Sequence, residues 1–159
     1  MKTKWIASFA GLAAIVASAL PAQAQAAQPV ELVSDVKVEQ TVVENGLKKS
    51  SWIKPNVVVP GDRLVFKTRY HNASAEKATN FVVTNPVPAG VMLAAEGADA
   101  FDVSVDGGRS WGKLPALTVA DGKGGLRAAQ SADVTHLRWT LAELAPGARG
   151  ELGYYAIVR

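Results

Sequence analysis

Eight consecutive residues, Ser104-Val105-Asp106-Gly107-Gly108-Arg109-Ser110-Trp111, bring hydroxyl, carboxylate, guanidinium and indole groups onto one short stretch. A carboxylate at Asp106 can accept N–H bonds from a turn. Gly108 permits positive φ, and Trp111 can lie under the turn as a large apolar anchor. The spacing predicts a structural hairpin built on Ser104, Asp106, Gly108, Ser110 and Trp111. The competing chemistry is a calcium or sugar contact, since turn carboxylates can ligate calcium. Nucleophilic catalysis would need a histidine within reach of a nucleophile and an acid. The two histidines, His71 and His136, fall on outward parities beside Arg69 and Arg138. Nearby cations disfavour a protonated imidazole, so neither is expected to act as a base. Blue-copper sites use two histidines, a cysteine and usually a methionine. The chain has no cysteine, and Met92 could join the histidines only by an accident of folding. No catalytic residue, cofactor or metal site is expected.

Two surface features could recognise a partner. Arg63, Lys67, Arg69 and His71 form an outward basic row along one strand. Such a row is either a solvated face that discourages edge pairing or a contact for anionic glycan, lipopolysaccharide or an acidic partner. In the last strand Leu152, Tyr154, Ala156 and Val158 share one parity, which leaves Tyr155 and Ile157 exposed and suited to partner contact by strand addition. Asn72-Ala73-Ser74 matches a glycosylation sequon, discounted for a chain of bacterial export type.

The elements that must carry these residues are strands. Val30, Leu32, Val36, Val38 and Val42 share one parity, and Glu31, Asp35, Lys37 and Glu39 the other, as in a half-buried strand. Asn45-Gly46 marks a tight hairpin, and Pro60-Gly61-Asp62 a further turn after Val57-Val58-Val59. Leu64, Phe66, Thr68 and Tyr70 then alternate with Val65, Lys67, Arg69 and His71. Residues 79–84 read as a strand closed by Asn85-Pro86, residues 91–93 and 101–105 as short strands, and residues 120–133 as a long Gly- and Ala-rich loop. Leu137, Trp139 and Leu141 alternate with His136, Arg138 and Thr140, and Pro146-Gly147 turns the chain into a closing strand at residues 151–159. No window of ten residues after the N-terminal segment has a helical period. Short strands separated by turn signals predict an all-β, two-sheet antiparallel sandwich without internal repeats.

The N-terminus reads as a targeting segment. Lys2 and Lys4 precede an uncharged apolar stretch at residues 5–20, then Pro21 and the small-residue sites Ala22-Gln23-Ala24 and Ala24-Gln25-Ala26. That order is a Sec-type signal peptide over residues 1–24, with an alternative cut after 26. It is followed by a lead-in at 25–29 and a single domain at 30–159. The apolar stretch falls short of the roughly 20 strongly apolar residues a span needs. Removing Lys2 and Lys4 from the 17 basic residues leaves fifteen against 14 acidic ones, a net charge of +1. The basic character of the whole chain thus overstates that of the domain, and no recognition motif for nucleic acid accompanies it. Without disulfides, the exported domain must rely on core burial. The expected address is the periplasm or the medium, with no membrane span after cleavage.

The motif at 104–111 is similar to the Asp-box, Ser-x-Asp-x-Gly-x-Ser/Thr-Trp, which recurs in sialidases and unrelated β-proteins. A sialidase-like hydrolase would also need an acidic–tyrosine–arginine cluster on several strands, which one box cannot provide. From Val58 to Arg159 the chain resembles the bacterial conserved-repeat family known as domain of unknown function 11. The matching pieces are Val59-Pro60-Gly61-Asp62, Tyr70-His71-Asn72, Ala78-Thr79-Asn80-Phe81-Val82-Val83, Asn85-Pro86-Val87-Pro88-Ala89-Gly90, Leu137-Arg138-Trp139-Thr140 and Leu144-Ala145-Pro146-Gly147. The family often has an acid where this chain has Asn85. The resemblance implies an immunoglobulin-like sandwich acting as an envelope or surface building block. The expected function is a non-catalytic exported module that is structural or interaction-mediating, with an envelope protein or surface polysaccharide as partner. The alternative is a carbohydrate or anionic surface-polymer binding domain.

Overall fold

The structure, a computed structural model, describes residues 30–159. The expected signal peptide, both cleavage sites and the lead-in at 25–29 lie outside the described residues. Ten strands follow one another: β1 (Val30–Glu44), β2 (Leu47–Ile53), β3 (Arg63–Asn72), β4 (Ala78–Pro86), β5 (Val91–Leu93), β6 (Asp102–Ser104), β7 (Thr118–Ala120), β8 (Leu126–Ala128), β9 (His136–Leu144) and β10 (Arg149–Val158). Three single-turn 3-10 helices are the only helical elements among the described residues. The chain is all-β with antiparallel sheets. One sheet has the order β2-β1-β3-β10-β5, a second β4-β9-β6, and β7-β8 is a separate ribbon.

Period-two patterning explains the packing. Leu64 of β3 and Tyr154 and Ala156 of β10 face Val83 of β4, Leu137 and Trp139 of β9 and Val103 of β6, all buried in one cluster. The two sheets thus share one core, the arrangement of a β-sandwich. Phe66 stacks on Tyr154 with centroids 4.8 Å apart, and Phe101 meets the Trp139 ring edge-on at 5.3 Å. Burial of Tyr154 pushes its hydroxyl pKa up to about 12. Pro86 is tolerated at the end of β4 because β4 is an edge strand. Asn45 and Gly46, with φ of 53° and 76°, form the two-residue β1–β2 turn that Asn-Gly favours.

Asn72 ties the crossovers between the sheets. Fully buried, its Nδ2 donates to the carbonyls of Glu76, Leu144 and Ala145, and its Oδ1 accepts from the N–H and the hydroxyl of Ser74. A glycan could not be attached to this amide without dismantling both crossovers.

Three expectations are corrected. Residues 120–133 are not one loop: they hold the end of β7, all of β8 and a 3-10 turn. Asp121 Oδ1 accepts from Lys123 N and Gly125 N, and Gly122 and Gly124 take positive φ, so the Gly-rich run is a compact hairpin turn. Arg127 then grips Asp133 with both terminal nitrogens, at 2.6 and 2.7 Å, and Asp133 also accepts Gln130 N–H. These bonds hold the Asp133 carboxyl down at about 2. Leu32 is 45% exposed despite its inward parity, because β2 covers β1 only from Val38 onward and leaves residues 31–37 on the sheet edge. Finally, β10 is not a free terminal strand: it lies between β3 and β5.

Candidate functional site

The hairpin at 104–111 closes on its own carboxylate. Asp106 Oδ1 accepts from the Ser104 hydroxyl (2.7 Å), Arg109 N (3.0 Å) and Ser110 N (2.9 Å), while Oδ2 accepts from the Ser110 hydroxyl (2.6 Å). Bonds from Ser110, hydroxyl first and then N–H, with that of the Ser104 hydroxyl, hold this carboxyl far below the usual range. Ser104 Oγ in turn accepts Gly108 N–H at 2.8 Å, and Gly107 and Gly108 both take positive φ. Trp111 donates Nε1–H to the Gly108 carbonyl at 3.0 Å and packs its ring against that residue. The Arg138 guanidinium lies over the indole, 4.6 Å from a ring centroid, and His136 meets the indole edge-on. A calcium ion or sugar at Asp106 would have to compete with four internal donors. Among the described residues, no cluster of three or more His, Cys, Asp or Glu could hold a metal ion.

β3 carries the basic row, and its neighbours carry the countercharges. Arg63 reaches Glu39 of β1 at 3.5 Å and Glu96 at 3.0 Å, Lys67 reaches Glu151 of β10 at 2.6 Å, and His71 Nδ1 lies 3.2 Å from Glu31 of β1. Arg69 has no ion pair among the described residues, and neither has Arg149, which stands opposite His71 on β10. With Glu31, Val33, Tyr70, His71 and Gly150 they line a shallow depression of about 270 Å³. His71 is therefore not a histidine among cations alone, as parity suggested, because its cross-strand neighbour on β1 is an acid. His136 lies on the other sheet with its Nδ1 3.1 Å from the Thr135 hydroxyl. The two histidines lie on different sheets, His71 on β3 and His136 on β9, and Met92 lies on β5.

Tyr155 and Ile157 are half-buried, where exposure was expected. Trp52 of β2 packs on Tyr155 at 5.7 Å, and the Arg63 guanidinium lies over Tyr155 at 4.8 Å. This cluster sits on the outer face of the five-stranded sheet, where Val65, outward by parity, is only 3% exposed. Sequence reasoning missed Trp52 and Arg63 as partners. A tryptophan just before a strand-ending Lys-Pro is the available signal, but nothing local says which strand it will face. The asymmetry is chemical as well: Arg63 serves a cation–π stack, whereas Arg69 is solvated.

No family model matches the chain, no curated protein matches it, and no solved structure matches it.

Proposed function

We propose that this protein is a non-catalytic exported envelope module of immunoglobulin-like build, whose role is structural or interaction-mediating. One observation carries the reading: the side chains best able to do chemistry are consumed in bonds that hold the fold. Asp106 closes its own turn, Arg138 stacks on Trp111, Arg63 and Lys67 are paired to acids across strands, and His71 is bonded to Glu31. Against this saturation, apolar surface stays exposed near the free edge and hairpin, with Val33 at 55%, Val43 at 65% and Leu47 at 74%. The order of turn motifs resembling the conserved-repeat family supports the same reading, as does the signal-like N-terminus.

A second reading, an anionic surface-polymer binding domain, is favoured by Arg69 and Arg149 beside one depression. Retention on an acidic-polysaccharide resin separates the two. Contacts between exposed charges weaken sharply when the screening length falls to about 3 Å, near 1 M salt. Equal, weak retention of wild type and the Arg69→Ser/Arg149→Ser variant supports the module. Strong, salt-sensitive retention lost in the variant overturns it.

A further inference from the structure

β1 leaves one side of residues 31–37 without a strand partner among the described residues. In an antiparallel ladder the hydrogen-bonding pairs alternate, so every second residue turns its N–H and C=O away from the neighbour. The Val36 N–H is bonded to the Asp35 carboxylate at 2.9 Å rather than to β3. This places Leu32, Ser34 and Val36 as the residues whose backbone groups point to the open edge. Edge strands of this kind are usually blunted by a proline, a bulge or an inward charge. This one has no proline and presents Leu32 and Val33, 45% and 55% exposed, between the charges of Glu31, Asp35 and Lys37.

We propose that this edge pairs antiparallel with the same edge of a second copy, about a two-fold axis at Ser34, extending the five-stranded sheet across the dimer. Residue types select both the partner and the register. Centred on Ser34, Leu32 lies opposite Val36 of the second copy, and each exchanges backbone bonds. Glu31 lies opposite Lys37, a favourable cross-strand pair formed twice by symmetry. Both side chains point to the outer face, and Lys37 has no ion pair of its own among the described residues. Moving the axis to Val33 sets Glu31 against Asp35. Moving it to Asp35 sets two Asp35 carboxylates face to face. An axis at Val36 leaves only residues 35–37 to pair before β2, whose Ile53 occupies the position beside Val38. Asp35 thus has two effects: it covers one edge donor in the single chain, and it penalises the neighbouring registers. This pairing presupposes an interaction module rather than an enzyme. Its failure would leave the capture of envelope proteins to be tested separately.

The test combines charge reversal with cross-linking, on protein shown by circular dichroism to be folded. Sedimentation equilibrium should give a concentration-dependent dimer. Glu31→Lys or Lys37→Glu alone should weaken self-association about tenfold by placing like charges opposite each other. The double swap should restore it to near wild type. Because the chain has no cysteine, Ser34→Cys supplies a single thiol. Residues facing each other in a hydrogen-bonded pair have Cα atoms about 5.5 Å apart, within the range a disulfide spans. Mild oxidation should therefore yield a covalent dimer of Ser34→Cys and none of Leu32→Cys, whose thiols would lie several residues apart. A monomer at every concentration overturns the proposal. So does a double swap no better than the single reversals, or equal cross-linking of the two cysteine variants.

Discussion

Replacing Trp139 with alanine probes the packing on which the rest depends. The side chain is 4% exposed at the middle of β9, with Phe101 edge-on and Tyr154 tilted at 6.4 Å. A buried tryptophan removes about 150–250 Å² from water. At about 25 cal/mol per Å² that burial alone is worth about 4–6 kcal/mol. The alanine methyl recovers a small part, and the lost edge contact with Phe101 adds about 0.5–1.5 kcal/mol. Allowing for partial collapse of the cavity, the net loss should be about 4 kcal/mol, inside the range of about 3–5 for such truncations. For a domain of this size that corresponds to a fall of about 12–16 °C in Tm. Urea unfolding followed by circular dichroism measures it, with Thr140→Ala as control. Thr140 is the next residue along the strand and exposed, so its truncation should stay within about 0.5 kcal/mol. Equal shifts for the two variants would refute the assigned register of β9 and the shared core with it.

Two titrations test groups whose surroundings are specific. The Asp106 carboxyl is depressed in the folded chain, so its stabilising effect is present above the unfolded pKa of about 3.9 and lost as pH falls through the folded value. Asp106→Ala should therefore unfold at lower urea than wild type at pH 7, with the gap closing in strong acid, and a gap independent of pH would contradict this. Tyr154 has its pKa raised to about 12 by burial. Its contribution is full below about pH 10 and lost as pH rises through 12. Ultraviolet titration should show one tyrosine ionising only near the alkaline unfolding transition, and three tyrosines ionising together near pH 10 would contradict it.

What could be read from the sequence was local. The 104–111 hairpin needs only contacts up to four residues apart, such as Ser110 with Asp106 and Gly108 with Ser104, so residue type and spacing suffice to draw it. The Asn45-Gly46 turn and the inward parity of Leu137 and Trp139 are local in the same sense. The partners of the basic row are not. Lys67 meets Glu151, 84 residues away, only because β3 lies beside β10, and His71 meets Glu31, 40 residues away, only because β3 also lies beside β1. Parity gives the face of a side chain but not the strand next door, so a row of cations was visible while its neutralising acids were not. The position of β10 inside its sheet escaped for the same reason, and with it the burial of Tyr155. Asn72 stood out in the sequence only through the sequon Asn72-Ala73-Ser74 and the Tyr70-His71-Asn72 piece. Its burial depends on two crossovers meeting at one point.

The most direct test of the proposed role is capture of envelope material on the immobilised domain as salt rises. Defined envelope proteins should stay bound near 1 M salt, where exposed charge contacts are screened within about 3 Å, and the Arg69→Ser/Arg149→Ser variant should retain them equally. Retention of polysaccharide alone, released by salt and lost in that variant, would contradict it.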